Sequence, residues 1–261
     1  MLLERVGIVG VGHLAGYLVE GLARERPHLE VVLSPRNVDR SAQLAKQYGA
    51  SVAADNQAVC DVADVVLVTT LPGDVEGVCR PLGFRADQTV VSTAAGVPLS
   101  VLAPAVAPAT AVRAMPLTCS AIGRSPTLLL PDDPVARDFF ELLGTVHSVD
   151  DDAQFTPASA IGAYYGWIYA LMDDVIAWCA SAGVPETTAR DLVLETTRGA
   201  AEMALHHPSR ELSDLLDSLA TPGGITRQGL QTLERTGSLE AWIEALEALL
   251  PKLGGGASKE G

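Results

Sequence analysis

The sequence predicts an α/β protein in which a doubly wound parallel sheet is followed by an all-α domain. Between residues 6 and 143, short apolar runs alternate with helical patterns. This alternation indicates parallel strands joined by right-handed crossovers. From about Thr156 onward only helical patterns follow. We therefore expect a sheet domain over residues 1–152, a helical domain over residues 153–252, and a disordered, glycine-rich tail over residues 253–261.

The sheet domain is predicted from apolar runs that are separated by helical patterns. The expected strands are residues 6–9, 31–33, 52–53, 65–69, 89–92, 111–114 and 127–130. The expected helices are residues 14–24, 40–48, 75–79, 98–103 and 134–143. Such sheets bind ligands at the carboxyl ends of their strands, so the residues after each strand are the first candidates for a site.

The helical domain is predicted from five longer patterns, at residues 157–182, 185–206, 210–218, 226–235 and 239–250. The first pattern is apolar nearly all round, so this helix is either buried or packed against another subunit. We favour the second interpretation, because the helical half of the chain offers little interior. The sequence therefore predicts an all-α dimerisation domain and a homodimer formed through it.

Composition excludes several classes of partner. The formal net charge is −14 and the pI is about 4.7, which argues against nucleic acid or an anionic membrane as a partner. The four cysteines are far apart, so neither a disulfide framework nor a metal site is predicted, and a reducing compartment is indicated. The most apolar stretch is broken by Asp173 and Asp174 and is too short to span a bilayer. We expect a soluble, cytoplasmic protein.

The first functional motif is a glycine turn after the first strand. Gly10 and Gly12 lie between a β-branched run and a helical pattern. The first glycine permits a positive φ, and the second lets the backbone approach a pyrophosphate, which also meets the free N–H groups of the helix. Ala15 occupies the third, small position, and His13 and Leu14 flank the phosphates. This context predicts a Rossmann-like dinucleotide site.

The loop after the second strand predicts the choice of cofactor. It reads Leu33-Ser34-Pro35-Arg36-Asn37, with no acid at the strand end to bind a ribose diol. The Ser34 hydroxyl and the Arg36 guanidinium suit a 2′-phosphate. We therefore predict NADP(H) over NAD(H), although Asp39 weakens the electrostatic argument and Arg36 as a solvated loop charge stays open.

A second glycine motif, Thr221-Pro222-Gly223-Gly224-Ile225-Thr226, precedes a helical pattern. Several backbone N–H groups converge at such a helix start, and this arrangement suits a carboxylate. The Thr226 hydroxyl adds a further donor. The alternative is a helix–helix corner that simply needs glycine.

Further motifs occur in a fixed order along the chain. They include Ser34-Pro35-Arg36, Asp55-Asn56, Val91-Ser92-Thr93-Ala94-Ala95-Gly96-Val97, Arg113-Ala114-Met115-Pro116, Gly183-Val184-Pro185, and Pro222-Gly223-Gly224-Ile225-Thr226 with Gly229-Leu230. With the first glycine turn, they make the chain resemble the pyrroline-5-carboxylate reductase family over nearly its whole length. The resemblance implies that a nicotinamide cofactor reduces the C=N bond of a cyclic imino acid, and that the helical domain dimerises to complete the active site.

The resemblance also implies roles for individual residues. Asn56 would contact the adenosine side, and Ala94 and Ala95 would lie beside the nicotinamide. The backbone of Gly223, Gly224, Ile225 and Thr226 would hold the substrate carboxylate, and the Thr226 hydroxyl would bond to the ring nitrogen. Residues at other strand ends complete the expected cofactor site: Thr69, Thr70, Leu71, Gly96, Met115 and Pro116.

Departures from the family pattern cluster at the expected substrate pocket. Leu117 and Cys119 stand where the family has an amide and a proline, with Thr118 between them as a third substrate-pocket residue. Tyr164 and Tyr165 stand where the family has small hydroxyl residues. Either tyrosine is a candidate proton donor to the imine, or both pack in the helical core or the dimer interface.

The sequence therefore predicts an NADP(H)-dependent imine reductase, with 1-pyrroline-5-carboxylate, which yields proline, as the first substrate to consider. Two alternatives remain open. One is the same hydride transfer to a different cyclic imine of secondary metabolism. The other is a non-catalytic, NADP(H)-binding regulatory relative, against which the retained carboxylate motif argues.

Overall fold

The computed structural model describes residues 3–254. Within them, the strands are β1 (Arg5–Val9), β2 (Glu30–Leu33), β3 (Ser51–Val52), β4 (Val65–Val68), β5 (Thr89–Ser92), β6 (Thr110–Met115), β7 (Ser125–Leu130) and β8 (Gly144–Ser148). The helices of the first half are α1 (His13–Glu25), α2 (Val38–Tyr48), α3 (Asn56–Val62), α4 (Val75–Cys79), α5 (Leu99–Val106) and α6 (Pro134–Glu141). Those that follow are α7 (Asp152–Ser159), α8 (Ile161–Ser181), α9 (Glu186–His206), α10 (Leu212–Leu219), α11 (Ile225–Arg235), α12 (Ser238–Glu247) and α13 (Leu250–Leu253). The disordered tail was expected to begin at residue 253. Leu253 is instead the last residue of α13, and residues 255–261 lie outside the described residues.

The strands form one eight-stranded sheet in the order β3-β2-β1-β4-β5-β6-β7-β8. The order reverses between β1 and β4, which is the switch point where doubly wound sheets bind ligands. This architecture, followed by helices alone, confirms the predicted α/β fold. The expectation that every strand is parallel was wrong for β7, which pairs antiparallel with β6. Residues 116–124 between them form a 3₁₀ turn (Thr118–Ile122), which is too short for a parallel crossover.

Two elements of the sheet domain were not predicted from the sequence. The edge strand β8 pairs in parallel with β7, but its residues are mostly exposed and carry no apolar alternation. Helix α3 has seven residues, and Asp55 caps it by accepting a hydrogen bond from the Ala58 N–H at 2.8 Å. Strand β8 is held by its pairing with β7, and α3 is held by its cap together with the buried side chains of Val59 and Cys60.

Two apolar clusters cover the two faces of the sheet. Ile8 points into one cluster with Leu18 and Leu22 of α1, and Val9 points into the other with Val68 of β4. All five of these side chains are fully buried. Successive strand residues alternate between the faces. Because helices cover both sides of β1, it is buried from Val6 to Val9, whereas Arg5 is exposed.

The described chain divides into two compact units, residues 3–162 with 249–254, and residues 163–248. The single helix expected over residues 157–182 is two helices, α7 and α8, which are separated at Ala160. None of the α8 residues is buried, and Trp178 is 69% exposed. Among the described residues, no helix is long and apolar enough to cross a membrane.

Candidate functional site

A cleft of about 870 Å³ lies in the first unit, at the carboxyl ends of β1, β2, β4 and β5. Its volume is within the range of small-molecule sites. Ten predicted cofactor residues line it: Gly10, Gly12, His13, Leu14, Arg36, Thr69, Thr70, Leu71, Ala94 and Ala95. Seven further lining residues were not among the predicted cofactor residues: Val11, Asn37, Val38, Asp39, Pro72, Asp74 and Thr93. They follow predicted strands, whose carboxyl ends were expected to carry the site.

The glycine turn has the geometry of a phosphate cradle. Gly10 has a φ of 96°, and the Gly12 N–H donates to the Gly10 carbonyl at 3.1 Å. Gly12 is the N-cap of α1, and no side chain caps the helix or places an acid in its first turn. A Cβ at Gly12 would meet no atom within 4 Å. The helix N–H groups and dipole therefore face open space, into which a pyrophosphate fits.

Side chains from both neighbouring strands brace this turn. The Ser34 Oγ accepts a hydrogen bond from the Gly10 N–H at 3.0 Å, and the Thr69 hydroxyl donates to the Gly10 carbonyl. Ser34 is 1% exposed. The prediction that Ser34 contacts a 2′-phosphate is therefore corrected, because its hydroxyl is buried beneath the turn and supports it.

Thr70 supplies an independent sign that the cleft takes a polar ligand. Its Oγ1 is buried and has no hydrogen-bond partner within the described residues, although the residue lines the cleft. A buried hydroxyl without a partner is costly. A bound ligand that carries polar oxygens would supply that partner, so the residues present fit a dinucleotide.

The far end of the cleft carries the charged groups. The Arg36 Nη1 lies 3.7 Å from the Asp74 Oδ2, and the Arg36 side chain is 74% exposed. Asn37 caps α2 through the Arg40 N–H at 3.3 Å, and its amide donates to the Val11 carbonyl at 3.1 Å. The loop that carries Arg36 is thereby tied to the glycine turn.

Five other predicted cofactor residues do not line the cleft. Ala15 is buried in the core, as its small-residue role requires. Asn56 is the half-buried first residue of α3, so the structure does not place its side chain in the cleft. A Cβ at Gly96 would lie 3.0 Å from the Lys252 carbonyl. Of the remaining two, Met115 ends β6 and Pro116 follows it, and neither lines the cleft.

Residues after β6 lie against the start of α8. A Cβ at Gly162 would lie 3.3 Å from the Met115 Cε and 3.7 Å from the Leu117 Cδ2. The Leu117 N–H donates to the Ser125 Oγ at 2.9 Å. Thr118 and Cys119 follow as half-buried residues of the 3₁₀ turn. Leu117, which departs from the family pattern, therefore lies within van der Waals reach of the Gly162 position.

Arg113 of β6 is a buried charge that the sequence analysis did not single out. It is 3% exposed, pairs with Asp152 at the start of α7 and stacks over the Phe155 ring at 4.1 Å. Burial lowers the pKa of the guanidinium, and the contact with Asp152 opposes that shift. This cluster fixes α7 to the strand that leads into Met115 and Pro116.

In the second unit, the predicted carboxylate motif forms an exposed turn before α11. Gly223 has a φ of 75°, and the Gly224 N–H donates to the Thr221 carbonyl at 2.9 Å. Gly224 is the N-cap of α11, with no side-chain cap and no acid in the first turn. Ile225 and Thr226 are both exposed. The N–H groups of this first turn are therefore available to an anion.

The two candidate tyrosines make different contacts on α8. The Tyr164 ring packs edge-on against Trp242, with ring centroids 5.8 Å apart. The Tyr165 hydroxyl lies 2.7 Å from the Tyr169 hydroxyl, and their rings are also in edge contact. Tyr165 therefore belongs to a phenol–phenol pair, whereas Tyr164 belongs to an aromatic cluster.

Comparisons with known proteins match both parts of the chain. Residues 153–253 match the family model described as pyrroline-5-carboxylate reductase dimerisation. Residues 5–96 match the model described as NADP oxidoreductase, coenzyme F420-dependent.

Individual relatives match nearly the whole chain. Pyrroline-5-carboxylate reductase 1 of Bacillus spizizenii is 28% identical over 257 residues, which are 94% of this chain and 86% of the relative. The 1-pyrroline-5-carboxylate reductase structure from Streptococcus pyogenes is 27% identical with a TM-score of 0.83, over 96% of this chain and 98% of that chain. The Plasmodium falciparum pyrroline carboxylate reductase, solved with NADP bound, has a TM-score of 0.85 over 97% of each chain. At 20% identity, it supports the fold alone.

The glycine turn, the cleft and the helical second half agree with these matches along the length of the chain. The resemblance inferred from the sequence motifs is therefore confirmed, and the chain is similar to pyrroline-5-carboxylate reductases over nearly its whole length.

Proposed function

We propose that the protein reduces the C=N bond of 1-pyrroline-5-carboxylate to give proline, with NADPH as the hydride donor. The observation that carries this function is the cleft at the strand ends, where an uncapped helix N-terminus, an open glycine turn and Arg36 lie together. The named relatives and the NADP oxidoreductase model support the reaction and the cofactor.

For this reaction, the protein needs mainly to bind the substrate and the cofactor and to orient them relative to each other. NADPH, when bound, supplies the hydride that forms the new C–H bond while the π electrons of the C=N bond move to nitrogen. An iminium carbon is already electrophilic. The chain must therefore hold that carbon within about 3–3.5 Å of the donor and keep the nitrogen protonated.

On the cofactor side, the backbone N–H groups after Gly12 bind the pyrophosphate. Arg36 pairs with the 2′-phosphate through its planar guanidinium. Thr70 gives its buried hydroxyl to a polar atom of the cofactor. Ala94 and Ala95, which are small, leave room for the nicotinamide ring.

On the substrate side, the backbone of residues 223–226 binds the carboxylate of the imino acid, and the Thr226 hydroxyl bonds to the ring nitrogen. Of the two tyrosines, we assign the delivery of a proton to Tyr165, because its hydroxyl shares a hydrogen bond with that of Tyr169. A phenol is one of the groups that can act as a general acid.

The test follows NADPH oxidation with 1-pyrroline-5-carboxylate in wild-type protein and in Thr226→Val. We expect turnover by the wild type and a loss of about 10²-fold or more in kcat for the variant. Thr232→Val is the matched control, since Thr232 lies on the same helix and its hydroxyl donates to the Gln228 carbonyl at 3.2 Å. Cofactor binding without turnover of any imine would refute the proposed reaction and favour the regulatory alternative.

A second candidate substrate is a different cyclic imine. Leu117, which replaces an amide of the family pattern, lies beside Gly162 and makes this wall of the pocket apolar. The six-membered homologue of the substrate and an imine without a carboxylate are the compounds to compare. Faster turnover of either one than of 1-pyrroline-5-carboxylate would favour this candidate.

The assembly we propose is a homodimer formed through the helical domain. Residues 153–253 match a dimerisation model, and large apolar side chains such as Trp178, Leu205 and Ile225 are 69%, 79% and 88% exposed. A second subunit would cover such a surface. We also propose a cytoplasmic location, which is supported by the wide spacing of the four cysteines along the sequence.

A further inference from the structure

One acidic side chain in the cofactor cleft has no role in the proposed function. Asp74 ends the 3₁₀ turn Pro72–Asp74 and immediately precedes α4. Its carboxylate caps no backbone N–H of that helix. It lies instead 3.7 Å from the Arg36 guanidinium, across the cleft from the loop that follows β2.

The charges around Arg36 decide how the contact with Asp74 affects the binding of an anion. Among the described residues that line the cleft, Arg36 is the single Arg or Lys, whereas Asp39 and Asp74 are both carboxylates. Asp39 lies in the first turn of α2, where the helix dipole stabilises a negative charge. Within the described part of the chain, Asp74 forms an ion pair with Arg36 and with no other cation. The same guanidinium therefore serves two anions, the Asp74 carboxylate and an incoming 2′-phosphate.

We propose that Asp74 is a specificity-determining residue, which pairs with Arg36, weakens the binding of a 2′-phosphate and thereby narrows the preference for NADPH over NADH. This inference rests on the proposed function, because it assumes that a nicotinamide dinucleotide occupies the cleft. NADH has no 2′-phosphate, so its binding does not require Arg36 to leave Asp74.

Two physical effects set the size of the expected change. An exposed ion pair that must be broken shifts a binding equilibrium by up to about fivefold. The carboxylate also repels the phosphate dianion over a screening length of about 10 Å at 0.1 M salt. Together they predict that removing the Asp74 charge tightens NADPH binding about 3- to 10-fold at low salt, and less at high salt.

The experiment measures the Kd of NADPH and of NADH by calorimetry, without substrate, for wild-type protein and for Asp74→Asn. Glu76→Gln is the matched control. It removes the same charge two residues further on, where Glu76 pairs with the Arg80 Nε at 2.9 Å and does not line the cleft. Asp74→Asn is then repeated in an Arg36→Ala background to separate the competition for Arg36 from direct repulsion.

We expect Asp74→Asn to tighten NADPH binding, to leave NADH binding unchanged, and to have a smaller effect once Arg36 is removed. We expect Glu76→Gln to change neither Kd. Equal changes for both dinucleotides, or the same change in Asp74→Asn and Glu76→Gln, would overturn the role of Asp74 while leaving the proposed function intact. Binding of neither dinucleotide by the wild type would overturn the proposed function, and this inference with it.

Discussion

The two glycines of the first turn are expected to respond in opposite ways to the same substitution, Gly→Ala. At Gly10, a Cβ would lie 2.9 Å from the Thr70 backbone N and 3.0 Å from the Thr69 backbone C. The φ of 96° is also unfavourable for any residue with a Cβ. At Gly12, φ is −101° and a Cβ would meet no atom within 4 Å.

The magnitudes follow from these geometries. At Gly10, a left-handed φ costs alanine about 1–2 kcal/mol, and the backbone clash adds about 1–3 kcal/mol. The sum corresponds to a fall in Tm of about 5–15 °C for a chain of this length. At Gly12, Tm should stay unchanged, because the new methyl group projects into the cleft. The cost appears there as weaker NADPH binding, by at least about tenfold, or about 1.4 kcal/mol.

Thermal unfolding by circular dichroism without cofactor, and titration with NADPH, give the two readouts. Gly77→Ala is a suitable control, since Gly77 lies in α4, outside the cleft lining, and a Cβ there would also meet nothing within 4 Å. Equal losses of Tm in Gly10→Ala and Gly12→Ala would refute the assignment of roles. Wild-type affinity for NADPH in Gly12→Ala would refute the phosphate cradle.

Three further predictions concern buried polar groups and can be checked by urea unfolding. Gln88→Leu should lower the unfolding free energy by about 1–3 kcal/mol, because the buried amide bonds to three backbone groups; an unchanged midpoint would contradict this. Asp152→Asn should destabilise more than Arg113→Met, because the arginine is 3% exposed and would be left unpaired, whereas the Asp152 side chain is 39% exposed; the reverse ranking would be contrary evidence. Burial raises the pKa of Cys60 to about 12 and that of Cys79 to about 11, from an ordinary value of 9.0. The two neutral thiols therefore contribute fully to the stability of the folded state below pH 9, and this contribution is lost as the pH rises through those values. The free energies of unfolding at pH 8 and at pH 10 should differ more in the wild type than in the variant in which Cys60 and Cys79 are both replaced by alanine.

The sequence predicted well those elements whose conformation is determined by residues close to one another in the chain. The turn from β1 to α1 needs glycine at positions 10 and 12, and the apolar residues on either side have unambiguous periods. The strand β4 is wholly apolar and β5 has an apolar centre, so their carboxyl ends, and with them Thr69 and Ala94, could be located from the pattern alone.

The parts that could not be predicted depend on partners distant in the chain. Strand β8 is stabilised by pairing with β7 at one edge of the sheet, and its own residues carry little strand signal. β7 runs antiparallel to β6 because the connection between them is too short for a parallel crossover. This depends on the length of the connection and not on its residue types, so the residue pattern did not indicate it. Ser34 was assigned to the ligand because its position after β2 was right, but whether its hydroxyl points outward or beneath the turn depends on Gly10.

The bracing of Gly10 from two sides has a consequence for how the cofactor binds. The bonds to Ser34 and Thr69 are made between groups of the protein itself, so folding alone fixes the conformation of the turn. The loss of backbone entropy that ordering a flexible loop would require at binding has therefore already occurred during folding. Association at this end should resemble the docking of two rigid bodies, with little change in amide hydrogen exchange at the turn when NADPH binds. The conformational change on binding is then expected in the exposed side chain of Arg36.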